Sequence, residues 1–171
     1  MLMAFVLAVL ALLAFVLARM LRAESGLPAG RVVYSDTGAW ERNERSFISH
    51  AHGLVGKPDY LVQEGNHIVP VEIKSGPAPR DGQPREGHVL QALAYCLLVE
   101  EHLGQPAPRA IIKYADRQYA ISNTPAARAE LLRVIDEMRS ALDVGDAPRD
   151  HDEPWRCAQC GVRHACDERL C

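Results

Sequence analysis

The sequence is poor in lysine and has no excess of positive charge. Only three of its 19 basic residues are lysines (Lys57, Lys74 and Lys113), and the formal net charge at pH 7 is −3. A global basic field that would attract nucleic acid is therefore excluded, and any such surface must be local. Internal repeats are also lacking. With 48% hydrophobic and 24% charged residues, a repeat array, a collagen-like chain and a disordered chain are excluded.

Residues 1–18 contain no charged or polar side chain, and Arg19 and Arg22 follow them. A run of about 20 apolar residues has the length needed to cross the hydrocarbon layer of a membrane. No basic residue precedes the run, and the residues after it make a poor cleavage site, which argues against a secretory signal peptide. We therefore predict a transmembrane anchor at residues 1–22 of a single-pass inner-membrane protein whose remainder is cytoplasmic. A cleaved signal and a buried core helix are the alternatives.

The rest of the chain divides by composition into three segments. We expect a linker at residues 23–30, a catalytic core at 31–153 and a Cys-rich tail at 154–171. Because the cytoplasm is reducing, the five cysteines are not interpreted as disulfides.

The core contains alternating signals for strands and helices. Two β-rich runs at residues 59–74 flank Gly65-Asn66, a dipeptide suited to a two-residue hairpin turn. An apolar helix is expected at 88–103, and Thr124-Pro125 opens an amphipathic helix to about residue 142. The remaining predicted elements are a strand at 31–35 and a second hairpin at 109–122. This order predicts an α/β fold, with a mixed α+β sheet flanked by helices.

The turn at Gly65-Asn66 also fixes the register of its hairpin. Asp59, five residues before Glu64, then lies opposite Glu72, five residues after His67. Opposed side chains share one face of a sheet, and so does Lys74, two residues beyond Glu72.

Two carboxylates beside an ammonium group suit Mg²⁺ or Mn²⁺, with substrate phosphate completing the coordination. Lys74 would then stabilise developing negative charge or orient a water molecule. The alternative is a solvated hairpin with a cross-strand Lys–Glu pair, and Pro70 would favour an edge strand or a bulge that shifts the register.

On the predicted apolar helix, His88, Gln91 and Tyr95 form one stripe at helical spacing. A glutamine in such a helix must find partners or face a polar cleft. Gln91 and Tyr95 would offer an amide and a hydroxyl to a site beside the hairpin, whereas the alternative is a core helix whose polar ends reach solvent.

Taken in order, these motifs resemble a known family. Gly56-Lys57-Pro58-Asp59, Glu72-Ile73-Lys74 and the segment 91–95 (QALAY) match G-x-x-D, E-x-K and Q-x-x-x-Y of the RecB-like branch of the PD-(D/E)XK nuclease superfamily. The tail, C-x₂-C-x₅-C, is similar to that of the CRISPR-associated exonuclease family, whose members carry an iron–sulfur cluster. The resemblance covers residues 31–171.

The resemblance implies a restriction-endonuclease-like core and a metal-dependent exodeoxyribonuclease that acts on single-stranded DNA ends. It implies a role in CRISPR spacer acquisition or DNA repair, with adaptation or repair proteins as partners. Asp59 and Glu72 would bind Mg²⁺ or Mn²⁺ with the Ile73 carbonyl, Lys74 would be the catalytic lysine, and Gln91 and Tyr95 would help to position DNA.

The cysteines depart from the family pattern, because no cysteine precedes Cys96, where the family has its first cluster ligand. Cys171 is a substitute fourth ligand, and the predicted set is Cys157, Cys160, Cys166 and Cys171. Four thiolates suit a [4Fe–4S] cluster, which the family favours, or structural Zn²⁺. Cys96 is expected to be a buried thiol.

Two further departures concern histidine and membrane attachment. His50 and His52 lie closer to Asp59 than the family's upstream metal-binding histidine, so neither is assigned as a ligand. A membrane anchor is not a general family feature. The alternative function is therefore a membrane-tethered, non-catalytic DNA-binding or scaffold module that retains the nuclease fold.

Overall fold

A computed structural model describes residues 7, 9–14, 16–17, 31–35, 46–145 and 148–170. The chain divides into two compact units, Met1–Leu131 and Leu132–Cys171. The first unit contains the sheet and the helix that the motifs occupy, and the second contains the cysteines of the tail.

The first unit is built on a five-stranded mixed sheet. In chain order its strands are β1 (Arg31–Ser35), β4 (Tyr60–Glu64), β5 (His67–Ile73), β6 (Arg109–Lys113) and β7 (Gln118–Ser122), and they are neighbours in that same order. A separate hairpin joins β2 (Phe47–Ser49) to β3 (Leu54–Gly56). All pairings in the large sheet are antiparallel except that of β5 with β6, which is parallel.

The parallel pair needs a crossover connection, and α1 (Glu86–Leu103) supplies it. The helix ends at Gly104, whose positive φ of 63° provides a left-handed cap. Its buried residues lie on several sides, because the sheet and the β2–β3 hairpin both pack against it. A helix covered in this way is apolar around most of its circumference.

Both faces of the sheet carry buried side chains. Leu61, Ile68 and Ile112 belong to the core cluster that includes α1, and they are at most 2% exposed. The opposite face carries a second cluster of Val62, Val69, Val71 and Ile111. Strand residues alternate between faces, so Asp59, Glu72 and Lys74 project to the side of Leu61 and Ile68, towards α1.

Helix α2 (Pro125–Val144) begins where Thr124 caps it: the Ala127 N–H donates to Thr124 Oγ1 at 3.1 Å. The mixed α/β architecture predicted from the sequence is therefore confirmed, including both hairpins of the large sheet and both long helices. The second unit contains α3 (Pro154–Gln159) and a 3₁₀ turn at Arg163–Ala165.

The membrane prediction is corrected by the structure. Of the segment predicted to be an anchor at residues 1–22, helical structure is described for residues 7, 9–14 and 16–17. Crossing a membrane takes about 20 consecutive helical residues, and among the described residues no helix is long and apolar enough to do so. The predicted transmembrane helix and the membrane as a partner are therefore unsupported, and the single-pass inner-membrane localisation is wrong.

Candidate active site

The β4–β5 hairpin brings Asp59 and Glu72 together in the register expected from its turn. Its paired residues are Tyr60 with Val71, Leu61 with Pro70, Val62 with Val69, Gln63 with Ile68, and Glu64 with His67. Gly65 begins the turn with a φ of 58°, a left-handed conformation that glycine adopts without strain. Asp59 precedes Tyr60 and so lies opposite Glu72, and Pro70 does not shift the register.

Asp59 is held by the backbone of the neighbouring strand. Its Oδ2 accepts a hydrogen bond from the Ile73 N–H at 2.6 Å. This bond directs the carboxylate at the peptide that follows Glu72. It uses one of the two carboxylate oxygens, and the other keeps its capacity as an acceptor or a metal ligand.

Glu72 is the centre of a hydrogen-bonded group. Its side chain is 11% exposed and that of Lys74 is 21% exposed, and Lys74 Nζ lies 2.8 Å from Glu72 Oε1. Gln91 Nε2 donates to the same oxygen at 3.1 Å, and Gln91 Oε1 accepts from Lys74 Nζ at 2.8 Å. Strand β5 and helix α1 thus contribute to one polar cluster inside an apolar layer. The solvated-hairpin alternative is excluded, because Glu72 is buried.

Tyr95 completes this cluster one helical turn beyond Gln91. Its hydroxyl accepts from Gln91 Nε2 at 2.8 Å and is also hydrogen-bonded to Glu72. Burial raises the pKa of Tyr95 above its usual range, and the nearby Glu72 carboxylate raises it further. Tyr95 therefore stays protonated and serves as a neutral hydrogen-bond partner.

Gly56, the first residue of the G-x-x-D motif, allows the helix to approach this closely. A Cβ atom at this position would lie 2.8 Å from Leu98 Cδ1 and 2.9 Å from Tyr95 Cε1. Both distances are shorter than real Cβ contacts, so a side chain here would displace Tyr95 or Leu98. The glycine thus has a packing role that was not assigned to it from the sequence.

His88, on the same helical stripe, is directed to a tyrosine beside the cluster. Its Nδ1 lies 2.7 Å from the hydroxyl of Tyr114, which also accepts the Arg85 N–H at 3.2 Å. Burial lowers the pKa of His88, and the charges of Lys74 and Arg85 lower it further. The imidazole is thus a neutral group at the edge of the site.

The two histidines upstream of Asp59 are not gathered with the carboxylates into a metal-binding group. His52 Nδ1 lies 2.9 Å from Glu101 Oε1 and 3.1 Å from Ser49 Oγ, and His50 is an exposed turn residue. In the described parts of the chain, no three His, Cys, Asp or Glu side chains form a group that could hold a metal ion.

The carboxylate pair nevertheless fits a hard divalent ion. Asp59 and Glu72 supply two anionic oxygen donors from opposed positions. Mg²⁺ is commonly bound through one or two carboxylates, and water and substrate phosphate complete its shell. A site with two protein carboxylates is therefore compatible with Mg²⁺ or Mn²⁺.

The tail cysteines lie around one pocket within the second unit. Cys157, Cys160 and Cys166 line it together with His151 and three arginines. Cys157 is 5% exposed, Cys160 is exposed and Cys166 is intermediate. Cys171, the fourth predicted ligand, lies outside the described residues, and the exposed His164 does not line the pocket. Cys96 is 0% exposed, and burial raises its pKa to about 12, as expected for a structural thiol.

A profile of the PD-(D/E)XK nuclease superfamily matches residues 7–167. The chain belongs to this superfamily. The match takes in both compact units, and it includes the three motifs that meet around Glu72. The recognition made from the sequence motifs is thereby confirmed.

Two curated relatives have the same printed name, "CRISPR-associated exonuclease Cas4". The protein from Francisella tularensis subsp. novicida is 30% identical over 124 residues, which cover 72% of this chain and 61% of the relative. The protein from Aeropyrum pernix is 36% identical over 120 residues, which cover 67% of this chain and 59% of the relative. This chain thus spans about three fifths of the length of these relatives. The crystal structure of SSO0001 is similar with a TM-score of 0.47 at 20% identity, over 74% of this chain and 58% of that one.

Among the site residues expected from the sequence, the five of the core come together. Asp59, Glu72, Lys74, Gln91 and Tyr95 are connected by the hairpin register or by hydrogen bonds. Sequence reasoning missed the packing role of Gly56 and the contact of His88 with Tyr114. The glycine of the motif was the one signal that pointed to a close approach.

Proposed function

We propose that this chain is a divalent-metal-dependent nuclease that degrades DNA from single-stranded ends. The observation that carries the proposal is the burial of Glu72. Glu72 is 8% exposed and is the only acidic or basic residue classed as buried in the described parts of the chain. A buried charge is costly unless it is paired, and such groups are frequent in functional sites.

In this proposal Asp59 and Glu72 bind Mg²⁺ or Mn²⁺. The ion, when bound, polarises the scissile phosphate and lowers the pKa of an attacking water. Lys74 donates hydrogen bonds and stabilises the negative charge that develops on the phosphate. Gln91 and Tyr95 fix the positions of Lys74 and the Glu72 carboxylate, because Gln91 bonds to both of them and Tyr95 bonds to Gln91.

The test is cleavage of end-labelled DNA by the full chain. Single-stranded and double-stranded substrates are compared with Mn²⁺, with Mg²⁺ and with a chelator. We expect metal-dependent shortening of single strands, and loss of cleavage in Glu72→Gln, Asp59→Asn and Lys74→Met variants that remain folded by circular dichroism. Wild-type protein that binds single-stranded DNA but leaves it intact with both metals would instead support a non-catalytic DNA-binding module.

The biological context of this proposal is supported by the relatives rather than by the site. Two proteins named CRISPR-associated exonucleases are similar to this chain, which supports a role in spacer acquisition or DNA repair with the proteins of those processes as partners. Such partners would be identified by their retention on the immobilised chain. The folded Glu72→Gln variant should retain them equally, because binding of a protein partner does not require the Glu72 carboxylate.

The tail is proposed to bind a [4Fe–4S] cluster through Cys157, Cys160, Cys166 and Cys171. Support comes from the spacing of the cysteines and from the family, and the first three line one pocket in a segment with few buried residues. In the described residues these three thiols are not gathered closely enough to form a metal-binding group, so the proposal requires that they converge when the cluster binds. Metal binding would supply folding energy to such a segment. Anaerobically purified protein should be brown and contain iron, and Cys160→Ser should remove both properties. Colourless protein with one equivalent of zinc would contradict the cluster and establish a structural zinc site.

A further inference from the structure

We propose that the loop between β5 and α1, together with the turn between β6 and β7, forms the surface that binds the phosphate backbone of a DNA strand. This surface is called the basic wall and consists of Arg80, Arg85 and Arg117. The inference rests on the proposed nuclease function and specifies where the substrate lies. It is carried by topology, by the tethering of the loop and by the distribution of ion pairs.

Topology places the basic wall at the edge of the sheet that carries the site. β5 and β6 are parallel, so their carboxyl ends, which carry Lys74 and Lys113, lie at one edge. β7 is antiparallel to β6 and therefore begins at this edge, directly after Arg117. The loop at residues 74–85 leaves the same edge and leads into α1. The loop begins at Lys74 and ends where α1 begins, and both Lys74 and α1 belong to the Glu72 cluster. The chain therefore connects the basic wall to this cluster at both ends of the loop.

The loop is held on the β6–β7 turn by several hydrogen bonds. The Ala78 N–H donates to Asp116 Oδ1 at 2.7 Å, and the Ala115 N–H donates to the Gly76 carbonyl at 3.0 Å. Tyr119 donates its hydroxyl proton to the Gly82 carbonyl at 3.1 Å. Bonds near the start, middle and end of the loop, including the Arg85 N–H on Tyr114, fix its backbone. A surface fixed before binding loses less entropy when a ligand is bound.

Arg117 lies against the middle of the loop. Its Nη1 is 3.5 Å from the place where a Cβ at Gly82 would stand, and Gly82 has a φ of 77°. The guanidinium of the β6–β7 turn therefore joins the loop in one surface. Arg80, Arg85 and Arg117 are all exposed.

The arginines of the basic wall differ from other arginines of the chain in their ion pairs. No ion pair joins Arg80, Arg85 or Arg117 to a described acidic residue. By contrast, Arg109 and Arg128 each pair with a glutamate, Glu64 and Glu100 respectively.

Three acidic residues adjoin the arginines of the basic wall in the sequence and keep their negative charge, and none of them forms a described ion pair with those arginines. Asp116 accepts the Ala78 N–H, Asp81 accepts the Gln83 N–H at 3.1 Å, and Glu86 begins α1. An exposed guanidinium group that forms no ion pair with a described acidic residue can bind phosphate, since it presents several donors in a planar array. The phosphates of a DNA strand along this edge would give these groups anionic partners, which the described acidic residues do not provide.

The test measures DNA binding without cleavage. A fluorescein-labelled single-stranded oligonucleotide is titrated with the full chain in the presence of a chelator, at several salt concentrations, and binding is followed by anisotropy. Each phosphate contact to a single strand contributes about 0.7 to the slope of log K against log salt. We expect Arg80→Ala/Arg85→Ala to weaken binding at least tenfold and to lower the slope by about 1.4, and Arg117→Ala to lower it by about 0.7.

The matched control is Arg133→Ala/Arg139→Ala, which removes the same charge from arginines that pair with Glu137 and Asp136 on α2. This control should keep the wild-type slope. Tyr119→Phe should weaken binding with the slope unchanged, because the charges stay but the loop loses a tether.

An unchanged slope in the Arg80/Arg85 variant, or an equal loss in the control, would overturn the basic wall. Failure of the basic wall and failure of the proposed nuclease function give different experimental results. Absence of cleavage by wild-type protein rejects the nuclease, whereas the binding slopes report on the surface alone.

Discussion

Replacing Glu72 by glutamine should remove the ability of a divalent ion to stabilise the fold. The isosteric amide keeps the shape of the side chain but supplies no negative charge to a cation. If Glu72 and Asp59 bind the ion only when the hairpin is formed, the ion stabilises the folded state by RT ln(1 + [M]/Kd). At a concentration of 100 Kd this amounts to about 2.7 kcal/mol.

The size of the thermal effect follows from the size of the folded unit. One kcal/mol shifts the unfolding midpoint of a domain with somewhat over 100 residues by about 3–5 °C. Saturating Mn²⁺ should therefore raise the Tm of the wild-type chain by about 10 °C. In Glu72→Gln the increase should fall to about 3 °C or less, because the remaining carboxylate of Asp59 binds the ion weakly.

Lys74→Met separates the lysine from the metal ligands. Without metal this variant should be less stable than the wild type by about 1.5–3 kcal/mol, because a largely buried carboxylate loses its charged donor. Its gain in Tm with Mn²⁺ should be at least as large as that of the wild type. The ammonium 2.8 Å from Glu72 Oε1 no longer competes with the ion for that oxygen.

The assay is thermal unfolding followed by far-UV circular dichroism, with and without Mn²⁺. Glu64→Gln is a matched control, since Glu64 has a side-chain exposure of 15% and pairs with Arg109 at the other edge of the sheet. This control should retain the full metal-dependent shift. A Glu72→Gln protein stabilised by Mn²⁺ as much as the wild type would refute Glu72 as a ligand. Loss of the shift in Glu64→Gln would show that the metal effect is unspecific.

Two further predictions concern packing around α1. Gly56→Ala should destabilise the fold by about 1–3 kcal/mol through overpacking against Leu98 and Tyr95. Gly87→Ala is the control and should not destabilise the fold, because Gly87 has open space around it. Urea unfolding measures the stability of both variants, and equal values would contradict the close approach of α1 to Gly56. Burial raises the pKa of Cys96 to about 12 from 9.0, so the native thiol should be alkylated about 1,000-fold more slowly at pH 8 than a free one. The stability from keeping this thiol neutral is present below pH 9 and is lost as the pH rises towards 12. Mass spectrometry that finds Cys96 of the native chain modified as fast as Cys96 of the urea-unfolded chain would refute its burial.

The hairpin of the site could be predicted because its signals are local. A turn dipeptide between two β-rich runs fixes the register without reference to the rest of the chain. Pro70 does not disturb that register, and the reason lies in the sheet. The Ile68 N–H points to the Pro106 carbonyl, so the nitrogen of Pro70, two residues on, faces the same side. Pairing with β6 begins only at Val71, and the ladder to β4 is left intact.

Other features depend on contacts between distant segments and could not be predicted. The hairpin register predicted that Asp59, Glu72 and Lys74 share one face, but not that α1, which follows them in the chain, covers Glu72. The β2 and β3 strands have three residues each, too few for a periodic pattern. Composition alone did not decide the structure of the apolar run at residues 1–22: no helix described there is long enough to span a membrane, and Leu7, Leu10 and Leu13 are 56–60% exposed rather than buried. The superfamily match begins at residue 7, inside the run that was predicted to be an anchor.

The charged side chains at the two edges of the large sheet differ in their ion pairs. At the edge away from the site, Arg109 Nη2 donates to both carboxylate oxygens of Glu64, at 3.0 and 2.7 Å, and the charges satisfy each other within the protein. At the site edge Lys74 pairs with Glu72, and a metal ion or a phosphate would compete for either partner. The arginines of the basic wall add exposed cations to that edge, and none of them forms an ion pair with a described acidic residue. Exposed guanidinium groups are stabilised by water, so this difference does not by itself require a ligand; the salt dependence of DNA binding decides whether a polyanion binds at this edge.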